Sequence, residues 1–152
     1  MATPIDPDGR QPTVQTGVWV EEHDWLFSIF KSPENHSPKF RLPDLLSACV
    51  SLAVGSDDGQ RRLIHYLETR LAARDPRTRR RSCDIWNEQF AQVMQAHQAP
   101  WNRFPNPMFA LDHITTACAA IAMSLSDGKA DVLRQARLNL LERGKARRAN
   151  PS

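Results

Sequence analysis

The chain has 152 residues, of which 41% are hydrophobic and 24% are charged. This size suits a single domain, and the composition excludes a globally disordered chain. The net charge is +3, but the charges occur in blocks, since residues 61–81 hold eight arginines and two acids whereas residues 1–58 hold nine acids and four bases. Such blocks indicate either an anionic partner or pairing between blocks, within one molecule or between two.

The first third of the chain predicts a flexible arm and two helices. Residues 1–17 contain three prolines and no periodic apolar pattern, which is typical of an arm. A short β-prone run at 18–20 is followed by apolar residues at helical spacing up to Phe30, and Pro33 ends that helix. Residues 38–42 alternate as an extended segment, and Pro43 then takes the first position of an apolar helix that ends near Val54.

The remaining elements are also predicted to be helices. Asp57 opens one that ends near Arg74, and Thr78 or Ser82 starts the next, whose apolar stripe begins at Trp86. Asn106 before Pro107 caps a further helix. Asp127 caps the last helix and Gly144 closes it.

These patterns predict an all-α fold, a compact bundle of five to six helices with at most one short strand near 38–42. The expected organisation is a flexible arm at 1–17, a single helical domain at 18–144 and a disordered basic tail at 145–152. No internal repeat is detectable from the sequence.

The segment from Pro38 to Arg74 resembles the ribbon-helix-helix DNA-binding unit of plasmid and phage regulators. The likeness lies in residues 39–44, Lys-Phe-Arg-Leu-Pro-Asp, an alternating strand closed by proline, and in the two helices that follow. The resemblance implies a paired strand whose outward side chains, Lys39 and Arg41, enter the major groove. Two features depart from the family, since a helix precedes the strand and about 78 residues follow the second helix.

The strongest candidate site is the arginine block around the predicted helix end at residue 74. Arginine guanidinium groups bind phosphates through paired hydrogen bonds, and a dense cluster of them is typical of a surface that contacts the nucleic-acid backbone. The alternative interpretation is a solvated loop, or one paired with the acidic N-terminal segment. The predicted nucleic-acid-binding residues are Arg61, Arg62, Arg70, Arg74, Arg77, Arg79, Arg80 and Arg81.

Residue types that support catalysis or metal binding are present but do not form a recognisable pattern. The acidic run 21–24 would radiate over every face of a helix, and no carboxylate or nucleophile is suitably spaced to pair with His97 or His113. The cysteines Cys49, Cys83 and Cys118 are odd in number and lie among apolar residues, which predicts buried free thiols and a cytoplasmic protein. No metal, cofactor, small-molecule ligand or membrane contact is expected.

The sequence therefore favours a small, non-catalytic, basic helical protein that binds nucleic acid or a nucleoprotein in an accessory or regulatory role. The alternative is a protein–protein interaction module, such as an adaptor, an inhibitor, a complex subunit or a homodimer, with no nucleic-acid contact. Binding to phosphates should weaken steeply with salt, whereas binding through an apolar helix face should not.

Overall fold

The computed structural model describes residues 12–103 and 107–149. The rest of the predicted arm, residues 1–11, and the end of the predicted tail, residues 150–152, lie outside this part, as does Asn106. In chain order the elements are β1 (Thr13–Trp19), α1 (Val20–Phe30), α2 (Leu42–Val54), α3 (Gly59–Tyr66) extended by a π-helical turn (Leu67–Leu71), β2 (Arg80–Trp86), α4 (Asn87–His97), a 3₁₀ turn (Pro100–Asn102), α5 (Leu111–Met123) and α6 (Gly128–Ala149).

The prediction of an all-α fold is wrong. The described residues contain six helices and are 63% helical, but β1 and β2 form a two-stranded antiparallel sheet, so the fold is mixed and mostly helical. In β2, Cys83 and Ile85 are buried while Ser82 is exposed, the alternation of a half-buried strand. Trp86 was expected to begin a helical stripe, but it is the last residue of β2, and α4 begins one residue later. Because the strand and the helix are directly adjacent, the alternation of the strand was not recognised in the sequence.

Three predicted boundaries are also wrong. Residues 13–17 belong to β1 and are not a flexible arm, whereas residues 38–41, all of them described, form no strand. Helix α6 continues through Gly144 to Ala149, so residues 145–149 are not a disordered tail. One glycine costs a helix roughly 1 kcal/mol relative to alanine, which is too little to end a long helix.

The resemblance to a ribbon-helix-helix unit does not extend to the structure. Instead of entering a strand, the Lys39 ammonium lies 4.7 Å from the centre of the Phe30 ring. Arg41 precedes α2, and its backbone N–H donates to the Asp44 carboxylate at 2.9 Å. The strands that do pair are β1 and β2, on either side of the segment that carries the likeness.

The chain consists of two structural repeats. The order of β1, α1, α2 and α3 recurs in β2, α4, α5 and α6. After α1, the buried Asn35 side chain donates to the carbonyl of the last α1 residue at 3.0 Å and to that of Phe40 at 2.9 Å, and it accepts the Phe40 N–H at 2.7 Å. After α4, Asn102 makes the same three bonds, to the last α4 carbonyl and to both backbone groups of Phe109. This repeat was not detected in the sequence.

Hydrogen bonds join the two repeats at the ends of the strands. The backbone N–H of Trp19 donates to the Thr116 hydroxyl, and that of Trp86 donates to the Ser47 hydroxyl, each at 2.9 Å. Because Ser47 and Thr116 occupy equivalent positions of α2 and α5, each repeat terminates the strand of the other. We call residues 13–74 the first repeat and residues 80–143 the second.

The core lies beneath the sheet, where the almost fully apolar α2 and α5 contact both strands and the other helices. The prediction of buried free thiols, with at least two of the three cysteines buried, is confirmed, since all three are buried and unpaired. Burial raises the pKa of the Cys83 and Cys118 thiols to about 12. These thiols are therefore protonated at neutral pH and pack as small apolar groups.

Candidate functional site

Arg74, one of the predicted phosphate-binding residues, is engaged inside the protein. Its guanidinium donates to both oxygens of the buried Glu22 carboxylate at 2.9 Å and also pairs with Glu21 at 2.5 Å. It lies 4.7 Å from the centre of the Trp19 ring. Burial disfavours the charged guanidinium, but the bonds to Glu22 outweigh this effect and raise the pKa of Arg74. The acidic start of α1 therefore neutralises this arginine.

Arg80 contacts the same tryptophan ring as Arg74. Its Nε donates to Asp112 at 2.9 Å, its guanidinium lies 4.4 Å from the Trp19 ring centre, and the Trp19 indole N–H donates to the same Asp112 oxygen at 3.1 Å. Burial by itself raises the pKa of Asp112. The hydrogen bonds from Arg80 and Trp19 lower this pKa by more than burial raises it, so the net shift is downward. We call Trp19, Arg74, Arg80, Asp112 and Glu22 the Trp19 cluster.

Two more arginines of the predicted set have internal partners. Arg62 donates to the last carbonyls of α2, those of Leu52 and Ala53, at 2.8 and 3.2 Å. Arg77 pairs with Asp75 at 3.2 Å. Four of the eight predicted residues are thus held by acids or carbonyls of the same chain, and the charge blocks pair within one molecule.

The other four predicted arginines are exposed and make no side-chain hydrogen bond or ion pair with the part of the chain that the structure describes: Arg61, Arg70, Arg79 and Arg81. Arg61 lines a shallow surface depression together with Asp57 and Glu68, so acids surround this arginine. Arg79 and Arg81 lie at the entrance to β2.

The second repeat contains an equivalent cluster that sequence reasoning did not identify. The Trp86 indole N–H donates to Asp44 at 2.8 Å, and the Trp19 indole N–H likewise donates to an aspartate, Asp112, which stands one residue before His113, the counterpart of Asp44 in α5. Arg143 occupies the position of Arg74, with its guanidinium 3.9 Å from the Trp86 ring centre and 3.5 Å from the Asp44 carboxylate. Trp19 and Arg74 come from the first repeat and Asp112 from the second, whereas Trp86 and Arg143 come from the second repeat and Asp44 from the first.

The two clusters differ in how they are covered. Trp19 and Leu71 are 1% and 2% exposed, whereas Trp86 is half-buried and Leu140, the counterpart of Leu71, is 42% exposed. A groove of about 310 Å³ therefore opens beside Trp86. We call it the Trp86 groove; its lining includes apolar Pro38, Phe40, Trp86 and Leu140, cationic Lys39, Arg41 and Arg143, and acidic Asp44.

Two sequence signals could have revealed these clusters. A tryptophan ends each strand, and an aspartate stands in the first turn of the helix that follows each asparagine-closed loop. The repeats also share an Ala-Cys pair, at 48–49 and 117–118, and an Asp-Gly pair, at 58–59 and 127–128, just before α3 and α6. The longer loop from Asn102 to Phe109 shifts the second copy out of register with the first.

His113 is a titratable group that packs against the Trp19 cluster. The His113 ring packs edge-on against Trp19 at 5.8 Å and Phe109 at 6.2 Å, and its Nδ1 accepts the Ala110 N–H at 2.9 Å. Burial is the main cause that lowers the pKa of His113, so the imidazole is neutral at pH 7. Among residues 12–103 and 107–149 there is no group of three or more His, Cys, Asp or Glu side chains that could hold a metal ion.

Comparison of the chain with protein-family models, with curated proteins and with solved structures gives no match. Within the described residues, every helix is too short or too polar to cross a membrane.

Proposed function

We propose that this protein is a non-catalytic protein–protein interaction module. The observation that carries the proposal is the exposure of three leucines on α6, since Leu138, Leu140 and Leu141 are 48%, 42% and 52% exposed. Leu138 and Leu141 are three residues apart and share one side of the helix, whereas Leu140 lies roughly 160° from Leu138 around the helix axis and lines the Trp86 groove. Large apolar side chains exposed on a helix face or in a groove are typical of surfaces that another protein covers.

The internal use of the arginines supports this function over the one that the sequence favours. Arg74 and Arg80 contribute to the Trp19 cluster, so their charges are already matched by Glu22 and Asp112. A phosphate would have to displace these carboxylates from short bonds. The proposal also places the protein in the cytoplasm, because its three buried cysteines are unpaired.

The test is affinity capture with the purified protein as bait, with and without nuclease and at low and high salt. We expect a partner protein that is retained after nuclease treatment and at high salt, because apolar contacts are little screened. Replacing Leu138 and Leu141 with glutamate should abolish the capture. Capture that requires nucleic acid, or that the double variant retains, contradicts the proposal.

Nucleic-acid binding is a second candidate, supported by the exposure of Arg77, Arg79 and Arg81 around the start of β2. Replacing these three with glutamine leaves the Trp19 cluster intact. If they bind phosphates, the slope of log affinity against log salt should flatten by roughly 0.7 to 0.9 for each phosphate that the variant no longer neutralises. Absence of binding to generic duplex or single-stranded nucleic acid at low salt would remove this candidate.

A further inference from the structure

We infer that the Trp86 groove binds an acidic segment of a partner protein, with an apolar side chain of that segment inserted between Trp86 and Leu140. This inference rests on the proposed function and assigns it a site and a partner chemistry. It follows from comparing the two repeats at equivalent positions.

In the first repeat the equivalent surface is covered by the chain itself. After Leu71 the backbone turns at Asp75 and returns into β2, and this return places Arg80 on the Trp19 ring. Arg80 also donates to the carbonyls of Pro76 and Thr78, which ties the returning segment together. Leu71 and Trp19 are consequently removed from water.

In the second repeat α6 does not turn back after Leu140 but continues to Ala149. The described residues leave Trp86 half-buried and Leu140 42% exposed, although their counterparts are almost fully covered. Because the equivalent apolar surface is buried in the first repeat, a segment of another protein can cover the surface of Trp86 and Leu140 in the second. The groove volume, about 310 Å³, lies at the lower end of the range of protein ligand pockets and accommodates a large side chain.

The charges around the groove select an acidic occupant. The returning segment of the first repeat is basic, and it faces the carboxylates Asp112 and Glu22. At the Trp86 groove the signs are reversed, since the exposed cations Lys39 and Arg41 line it. Arg143 and Asp44 also line the groove, but they form an ion pair at 3.5 Å and so add no net charge.

Residue differences between the repeats contribute to this reversal. Met108 and Ala110 occupy in the second repeat the places that Lys39 and Arg41 occupy in the first, so only the first repeat has cations at these positions. These cations of the first repeat line the groove beside Trp86 of the second. Complementary charge therefore favours glutamate and aspartate beside the inserted apolar side chain.

The experiment is selection of random peptides displayed on phage against the full chain, followed by titration of the enriched peptide with the purified protein. We expect enriched peptides to be acidic and to carry an aromatic or aliphatic anchor. Leu140→Glu and Arg41→Glu should each weaken binding by about tenfold or more, the usual scale for an interface anchor. The matched controls are Met123→Glu, since Met123 is 45% exposed on α5, and Arg70→Glu, both outside the groove.

The outcomes separate this inference from the function on which it rests. Peptides that bind equally well to the Leu140 and Arg41 variants would overturn the groove as the site but leave an interaction module. Enrichment of basic peptides would overturn the assigned chemistry. Peptide binding that appears only after Asp6 and Asp8 are replaced by asparagine would mean that this chain's own first residues occupy the groove. Dimerisation that Leu140→Glu abolishes would mean that a second copy of the chain occupies it. Failure to enrich any peptide would count against both the groove inference and the proposed function.

Discussion

Glu22 is a carboxylate whose side chain is only 5% exposed, and it receives two hydrogen bonds from Arg74. A buried carboxylate is stable in its charged form only while such a partner remains. The guanidinium in turn covers the Trp19 ring, so this ion pair is also part of the hydrophobic packing.

Removing the partner of Glu22 should therefore be costly. We expect Arg74→Gln to lower the free energy of unfolding by about 3 kcal/mol, because it leaves an unpaired buried charge. Glu22→Gln combined with Arg74→Gln should cost less than the sum of the two single changes, as urea denaturation of the three variants would show. If Arg74→Gln lowered the free energy of unfolding by less than about 1 kcal/mol, water would have to stabilise the charged Glu22 carboxylate in place of Arg74.

His113 predicts a pH dependence of stability. Its pKa is lowered mainly by burial; Asp112 opposes this shift and Arg80 adds to it. The unfolded chain therefore binds a proton on this imidazole at a higher pH than the folded protein does, so stability should fall as pH drops below about 6.5. Urea denaturation at several pH values between 7.5 and 5 measures the effect.

The variant His113→Asn should reduce that pH dependence, since asparagine does not titrate and its side-chain oxygen can still accept the Ala110 N–H. The exposed His65 provides the control, and His65→Asn should leave the dependence as it is. An unchanged slope in His113→Asn would show that another group is responsible.

At the scale of elements, the two asparagine-closed loops set the directions in which α2 and α5 leave α1 and α4. Asn35 and Asn102 are 3% and 1% exposed, and each makes two donor bonds and one acceptor bond to the backbone. The same side chain thus closes two loops of different length.

Alanine at either asparagine should cost about 2 kcal/mol, because three buried backbone groups lose their partner. The two losses should be similar, since the bonds are the same. Thermal or chemical denaturation of Asn35→Ala and Asn102→Ala tests this, with the exposed Gln98→Ala as control. A large loss in only one variant would show that the loops are not equivalent in energy.

At the scale of the whole molecule, the repeats depend on each other. The sheet contains one strand from each repeat, with Thr16 opposite Cys83 at its centre. These two residues are equivalent positions of β1 and β2, so an approximate two-fold axis passes through the sheet. The indole N–H groups of Trp19 and Trp86 each donate to an aspartate of the other repeat.

This interdependence predicts one cooperative unfolding transition. Far-UV circular dichroism and tryptophan fluorescence should give the same midpoint in urea. Asp112→Asn and Asp44→Asn, which alter opposite ends of the sheet, should each shift that common midpoint downward without splitting it. Two separate transitions would mean that the repeats fold independently.

Most of the helices and the burial of the cysteines could be predicted from the sequence, because helical periodicity and apolar context are local properties. The sequence located the apolar α2 and the blocks of charge, but it predicted that the fifth helix begins at Asn106–Pro107, whereas α5 begins at Leu111. It did not identify the strands, because each strand pairs with a partner distant in the chain.

Which charges pair with each other, and how the two repeats pack together, became visible in the folded structure and not in the sequence. Arg74, Arg80 and Arg143 belong to charge blocks whose partners lie in other blocks, and sequence spacing does not indicate which acids they meet. The Trp86 groove arises from a difference in covering between two equivalent sites, and covering depends on where the chain turns in space. Local patterns specify elements, whereas pairing and exposure are set by contacts between residues far apart in sequence.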